Sequence, residues 1–74
     1  KLPYFFRTLR ERYPDLTPGD LRLCALLRLN MPTKDMARMQ NLSVRGIEAA
    51  RYRLRKKLDI PDGKSLVDFM IEFK

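Results

Sequence analysis

Six of the chain's sixteen lysines and arginines fall between positions 45 and 57, at Arg45, Arg51, Arg53, Arg55, Lys56 and Lys57, around Glu48, Ala49 and Tyr52. Cations at this density neutralise phosphates or carboxylates, and an aromatic or small residue among them can approach a base. A helix that is merely solvated alternates acids with bases, so that they pair four residues apart. Here Glu48 is the single acid. The net charge of the 74 residues is +7, which points to a polyanionic partner, with nucleic acid ahead of an acidic membrane surface. Other chemistry-bearing side chains are scarce. The chain has no histidine, one cysteine and no glycine-rich phosphate loop, so no catalytic or metal-ligating constellation can be assembled. The expectation is a protein without enzymatic activity, cofactor or metal. Cys24 is expected in the core, and a lone cysteine excludes an internal disulfide and fits a reducing compartment.

The cations must be held by something, and the punctuation of the chain predicts five helices and no strand. Leu2, Phe5, Phe6, Leu9 and Tyr13 recur at helical spacing, giving an amphipathic helix over residues 3–13 that Pro14 closes. Thr17, Pro18 and Asp20 are a start signal: a hydroxyl cap, proline at the first helical position and an acid facing the positive end of the dipole. The helix that follows carries Leu21, Leu23, Cys24, Ala25, Leu26, Leu27 and Leu29 around most of its circumference. A helix apolar nearly all round is a buried, central one. Asn30 suits the left-handed conformation that ends it, and Pro32 stops its continuation.

Thr33 is then expected to cap a short helix over residues 34–40, with Met36 and Ala37 inward. Asn41 again suits a left-handed position, and Ser43 caps a long helix over residues 44–58. Only about three residues separate these two helices, the spacing of a helix-turn-helix unit. Pro61, Asp62 and Gly63 form a turn, after which Ser65 caps a last helix running through Phe73.

At about 100° per residue, Val44, Ala50, Leu54 and Leu58 lie within roughly 60° of Ile47 and form the buried stripe of the long helix. Arg51 falls close to that stripe, so an ion pair or hydrogen bond with Asp20 or Asp35 is expected of it rather than a nucleic-acid contact. The opposite face is centred on Arg45, Ala49, Tyr52 and Lys56, flanked by Glu48 and Arg53. Such a face can enter a major groove, small and hydrogen-bonding residues toward base edges and longer cations toward phosphates. On this reading Ala49 allows close approach to a base, Tyr52 contacts a base or a phosphate, Arg45 at the positive N-terminal end reaches either, and Lys34, Ser43, Arg53 and Lys56 hold phosphates. Two other readings stay open: a protein-interaction module whose basic helix docks an acidic partner, and an RNA-binding domain.

The run from Leu16, LTPGDLRLCALLRLNMPTKDMARMQNLSVRGIEAARYRLRKKLDI, resembles the LuxR/GerE-type helix-turn-helix domain of bacterial transcription factors. The matching features are the initial Leu-Thr with an acid beyond it, the Lys34-Asp35-Met36-Ala37 step, the capping Ser43 and the Lys56-Lys57-Leu58-Asp59 exit. Together with FFRTLRERYPDLTP, the phrase SVRGIEAARYRLRKKL is similar to the variant at the C-terminal end of large Bacteroidetes sensor-regulators. The resemblance implies an all-α four-helix domain over residues 16–74, preceded by an extra N-terminal helix over residues 1–15 that leads from an upstream region. It also implies regulation of transcription by dimeric, sequence-specific binding of double-stranded DNA, with base-reading positions at Glu48, Ala49 and Tyr52. RNA polymerase enters as a further partner, and no small-molecule ligand is implied for this segment. Three departures stand out: Glu48 where the family often has Lys, Gly46 where Thr is common, and Gln40 where Leu is usual. The first alters the expected target sequence, the second removes a phosphate-contacting hydroxyl and the third is expected to loosen the short helix.

Along the last helix, Leu66, Phe69, Met70 and Phe73 form one apolar face, and Val67 and Ile71 form a second about 100° away. One face closes a small domain; the surplus pair is expected to make a twofold contact with a second copy, though packing of the pair beneath the N-terminal helix would also account for it. The size allows one small domain. A start at Lys1 rather than Met leads to the expectation of a larger parent chain. No apolar run approaches the roughly 18 residues of a membrane span, so this segment is expected in the cytoplasm, even within a membrane-anchored parent.

Overall fold

The computed structural model describes residues 2–73, with side chains from Tyr4 onward; the side chain of Leu2, expected on the inward face of the first helix, lies outside the described residues. The elements are α1 (Leu2–Arg12), α2 (Pro18–Arg28), α3 (Thr33–Gln40), α4 (Val44–Leu58) and α5 (Leu66–Glu72), with no strand among the described residues. The class is all-α, a small helical bundle. Among the described residues no helix is long and apolar enough to cross a membrane.

The central position of α2 follows from its run of apolar residues. Leu23, Cys24, Ala25, Leu26 and Leu27 are all buried, and five consecutive residues span more than a full helical turn, so the helix must be covered on all sides. α5 supplies the largest cover, α1 and α4 supply the rest, and α3 lies against α4. One core joins Leu9, Leu23, Leu27, Met36, Ile47, Leu54 and Met70, with contributions from every helix. Leu29, counted with the apolar circumference of α2, instead forms its C-cap and is exposed.

Caps set the boundaries. Thr17 and Asp20 form a reciprocal capping box: Asp20 N–H donates to Thr17 Oγ1 at 3.1 Å, and Thr17 N–H donates to Asp20 Oδ2 at 2.9 Å. Ser43 Oγ accepts from Gly46 N–H at 3.0 Å and Ser65 Oγ from Asp68 N–H at 2.9 Å. Thr33 does not cap α3. Pro32 holds that position in an extended conformation, its carbonyl accepting from Asp35 and Met36, and Thr33 is already helical. Among the described residues no side-chain hydrogen bond caps this start.

Three helices end in one motif. Asn30, Asn41 and Asp59 have φ of 56°, 56° and 52°, and the next residue's N–H reaches back five positions: Met31 to Leu26, Leu42 to Ala37, Ile60 to Arg55. This is the Schellman arrangement, completed by an apolar residue after the left-handed one. The Pro61 carbonyl then accepts from Lys64 N–H at 3.2 Å, with Gly63 at φ 85° supplying the positive value of the turn.

α1 joins the same core through Phe5 and Leu9. Phe5 meets Phe73 edge-on, with ring centroids 6.0 Å apart. Above Phe5, at 4.6 Å from its centroid, lies the Arg28 guanidinium, which donates to the carbonyls of Met70 and Phe73 at 2.8 and 3.2 Å. Those carbonyls close α5, where no intrahelical donor remains. Phe73 itself has left the helix, which ends at Glu72, yet it stays buried. Val67 and Ile71 do not form an even second stripe: Val67 packs half-buried against the core, whereas Ile71 is 50% exposed. The core therefore takes up one member of the pair and leaves the other in solvent.

Candidate nucleic-acid interface

The helix pair α3 and α4 is joined by Asn41, Leu42 and Ser43. The left-handed Asn41 turns the chain, and the Ser43 hydroxyl satisfies the first turn of α4. Gly46 has a local reason: a Cβ there would stand 3.3 Å from Ser43 Oγ and 3.5 Å from Leu42 Cβ. A threonine at this position would crowd the cap, so its absence costs a hydroxyl and leaves the cap undisturbed. α3 keeps its helical hydrogen bonding through Gln40, so the polar residue there does not shorten it.

The back of α4 matches the wheel in three of its five residues. Ile47, Leu54 and Leu58 are buried and Ala50 is half-buried, whereas Val44 is 40% exposed. Val44 stands in the first turn of α4. With Lys34, Ala37, Arg38, Asn41 and Leu42 it lines an open groove between α3 and α4.

Five of the six cations of α4 divide by their angle around the helix, with Arg51 as the exception. Lys57 and Arg55 flank the buried stripe and are engaged within the molecule. Lys57 Nζ lies 2.6 Å from Asp20 Oδ2, tying the end of α4 to the start of α2, and Arg55 donates to the Pro61 carbonyl at 3.2 Å. Arg51 does not make the expected pair. Asp20 is taken by Lys57, and Asp35 faces Arg38 at 3.9 Å on its own helix; Arg51 is half-buried and no ion pair engages it among the described residues. The wheel placed Arg51 correctly near the interior, but Lys57, one turn and a half further on, reaches the acid first.

On the outer side, Glu48, Ala49 and Tyr52 are exposed, and so are Arg45, Arg53 and Lys56. Tyr52 is 62% exposed, with the Lys56 ammonium 4.8 Å from its ring centroid. This stacking holds the ring and the cation together at the centre of the face. Lys34 and Ser43 are also exposed, at the start of α3 and at the cap of α4. The structure thus brings Ser43, Arg45, Glu48, Ala49, Tyr52, Arg53 and Lys56 onto one side of a single helix and its cap, with Lys34 on the adjoining helix.

Sequence reasoning missed the Lys57–Asp20 tie and the Arg28 clamp, both between residues far apart in the chain. It also passed over the Tyr52–Lys56 stack, which an aromatic four residues before a lysine on a helix does signal. Burial would push the Asp20 carboxyl up, but hydrogen bonds from Lys57 and Thr17 outweigh it and hold the group below its ordinary value. Burial, aided by the charge on Asp20, pushes the Cys24 thiol up to about 12. The thiol therefore stays protonated and sits in the core as a small apolar group. No family model, curated protein or solved structure matches the chain.

Proposed function

We propose that this chain binds duplex DNA in a sequence-specific manner, with α4 in the major groove, as the DNA-binding part of a bacterial transcription regulator that pairs through α5. One observation carries the reading: the cations of α4 are sorted. Lys57 and Arg55 on the flanks are engaged inside the molecule, while Arg45, Arg53 and Lys56 surround an exposed strip of Glu48, Ala49 and Tyr52. A strip of small and hydrogen-bonding residues between cations is what a groove floor with phosphate walls requires. Glu48 cannot neutralise a phosphate, so it accepts from a cytosine amino group or orients a neighbouring arginine. The dimer reading rests on Ile71, an apolar side chain left in solvent on α5 with half-buried Val67 beside it; a contact of this size is weak until DNA holds two copies together.

The test is a salt titration on specific and random duplexes, after site selection from a random library has returned the half-site and, for a dimer, its spacing. Lys56→Ala weakens binding to every duplex and lowers the slope of log K against log salt by about one unit. Changing Glu48 or Tyr52 instead alters which sequence is preferred. Relative affinities untouched by a Glu48 change would remove that residue from the reading set. Competition among duplex DNA, duplex RNA and heparin separates the rivals: indifference to the polymer would replace specific recognition with a general polyanion surface.

A further inference from the structure

A second concentration of positive charge lies outside the helix-turn-helix, between α1 and the start of α2. Phe6, Arg7, Arg10, Pro18, Leu21 and Arg22 line a groove of about 470 Å³. Its floor is apolar and its walls hold three exposed arginines, none in an ion pair or hydrogen bond among the described residues. Glu11, the one acid of α1, pairs with none of them. Arginine is the residue whose planar, permanently charged fork suits phosphate and carboxylate oxygens.

What decides between these anions is where Arg22 stands. Its guanidinium folds back over the first turn of α2, so that a Cβ built on Gly19 would be 3.9 Å from Nη2. From there it also lines the neighbouring groove between α2 and the helix-turn-helix, shared with Gln40 and Arg53. Arg53 and Arg22 thus line one groove, and Arg22, Arg7 and Arg10 line the next, so that Arg22 joins the cations at the flank of α4 to those of α1. Among the described residues lining the two grooves Asp20 is the single acid, and it is already bound to Lys57 and to Thr17 N–H. A discrete acidic peptide would need only the α1 groove, whereas a continuous polyanion rising from the α4 face fits the whole series.

We infer that α1 is an accessory DNA-binding element: Arg7, Arg10 and Arg22 take the phosphates of the duplex that flanks the segment read by α4. This inference rests on the proposed DNA binding and adds length to the footprint without adding sequence preference. Phosphate contacts position a protein and carry no base information.

The experiment measures affinity for the selected site on duplexes whose flanks are shortened stepwise, across a range of salt, for the unaltered chain, Lys56→Ala and the triple variant R7A/R10A/R22A. All three replaced side chains are exposed, and thermal unfolding by circular dichroism verifies that the fold is kept. The unaltered chain is expected to lose affinity as flanks are removed. The triple variant is expected to be insensitive to flank length, to bind the long duplex roughly ten-fold or more weakly, and to show a salt slope lower by about 2 to 3. Its ratio of specific to random affinity stays unchanged. A triple variant with unaltered slope and flank dependence, beside a Lys56→Ala protein whose slope falls, overturns the role of α1 and leaves the function of α4 standing. The same unaltered slope with lost binding to polyglutamate assigns the groove to an acidic protein segment and overturns the inference. If the unaltered chain binds no duplex, both readings fall.

Discussion

The two sides of α4 use the same residue types for opposite purposes. On the inner side and its flanks, Ile47, Leu54 and Leu58 fill the core, while Lys57 and Arg55 are spent on Asp20 and the Pro61 carbonyl. On the outer side Arg45, Arg53 and Lys56 make no ion pair among the described residues, and Tyr52 stands in solvent under the Lys56 ammonium. Charge density along a helix is thus a poor guide to a binding face until the cations that hold the fold have been subtracted. The same subtraction applies to α2, where Arg28 is consumed by α5 and Phe5 while Arg22 is left outward.

If this division is right, replacements on the inner side act on stability and those on the outer side on binding. Leu54→Ala should show the largest effect, a loss of about 3 kcal/mol in urea unfolding, since a fully buried leucine leaves both a transfer and a cavity term. That is a large share of the roughly 4 to 11 kcal/mol expected for a chain of this length. An unfolding midpoint unmoved by this change would break the assignment of the stripe. Arg28→Ala comes next, at about 2 kcal/mol, because two charge-assisted hydrogen bonds and a cation–π contact vanish together. Arg28→Lys should recover less than half of the loss, as one ammonium cannot cover two carbonyls and a ring.

Asp20 offers a titration of the same comparison. Its folded carboxyl lies below the ordinary value, so the stability it contributes is complete above the unfolded value near 3.9 and disappears as pH falls through the folded one. Asp20→Asn should remove this acid-side portion of the stability curve and cost about 1 kcal/mol at neutral pH. An identical pH dependence in both proteins would mean that the Lys57 tie does not exist in solution. The smallest stability effects belong to the outer side: Glu48→Ala and Lys56→Ala should move the unfolding free energy by less than about 0.5 kcal/mol while changing preference and salt slope, respectively. A front-face change that unfolds the protein would erase the distinction.

Much of this architecture is legible in the chain because it is written locally. A cap acts within four residues, so Thr17, Ser43 and Ser65 announce their helices, and Asn30 and Asn41 their ends, without reference to anything distant. Thr33 misleads for the same reason. It is a good cap by type, but the preceding Pro32 already holds the extended conformation, leaving Thr33 to begin the helix. Angular position around α4 is equally local, which is why the outward strip of Glu48, Ala49 and Tyr52 could be read directly. Val44 and Arg51 lay outside that reach. How deeply a side chain near the stripe is buried, and which cation reaches an acid, depends on the neighbouring helix.

By itself the sequence determined the five helices, their caps and turns save the start of α3, the central place of α2 and the outward strip of α4, since each follows from interactions within about one helical turn. Only the tertiary structure decided that Lys57 rather than Arg51 binds Asp20, that Arg28 joins α1 to the end of α5, that Val67 packs while Ile71 does not, and that Arg22 links two cationic grooves. These are contacts between residues far apart in the chain, and their selection depends on distances that exist only once the helices have packed.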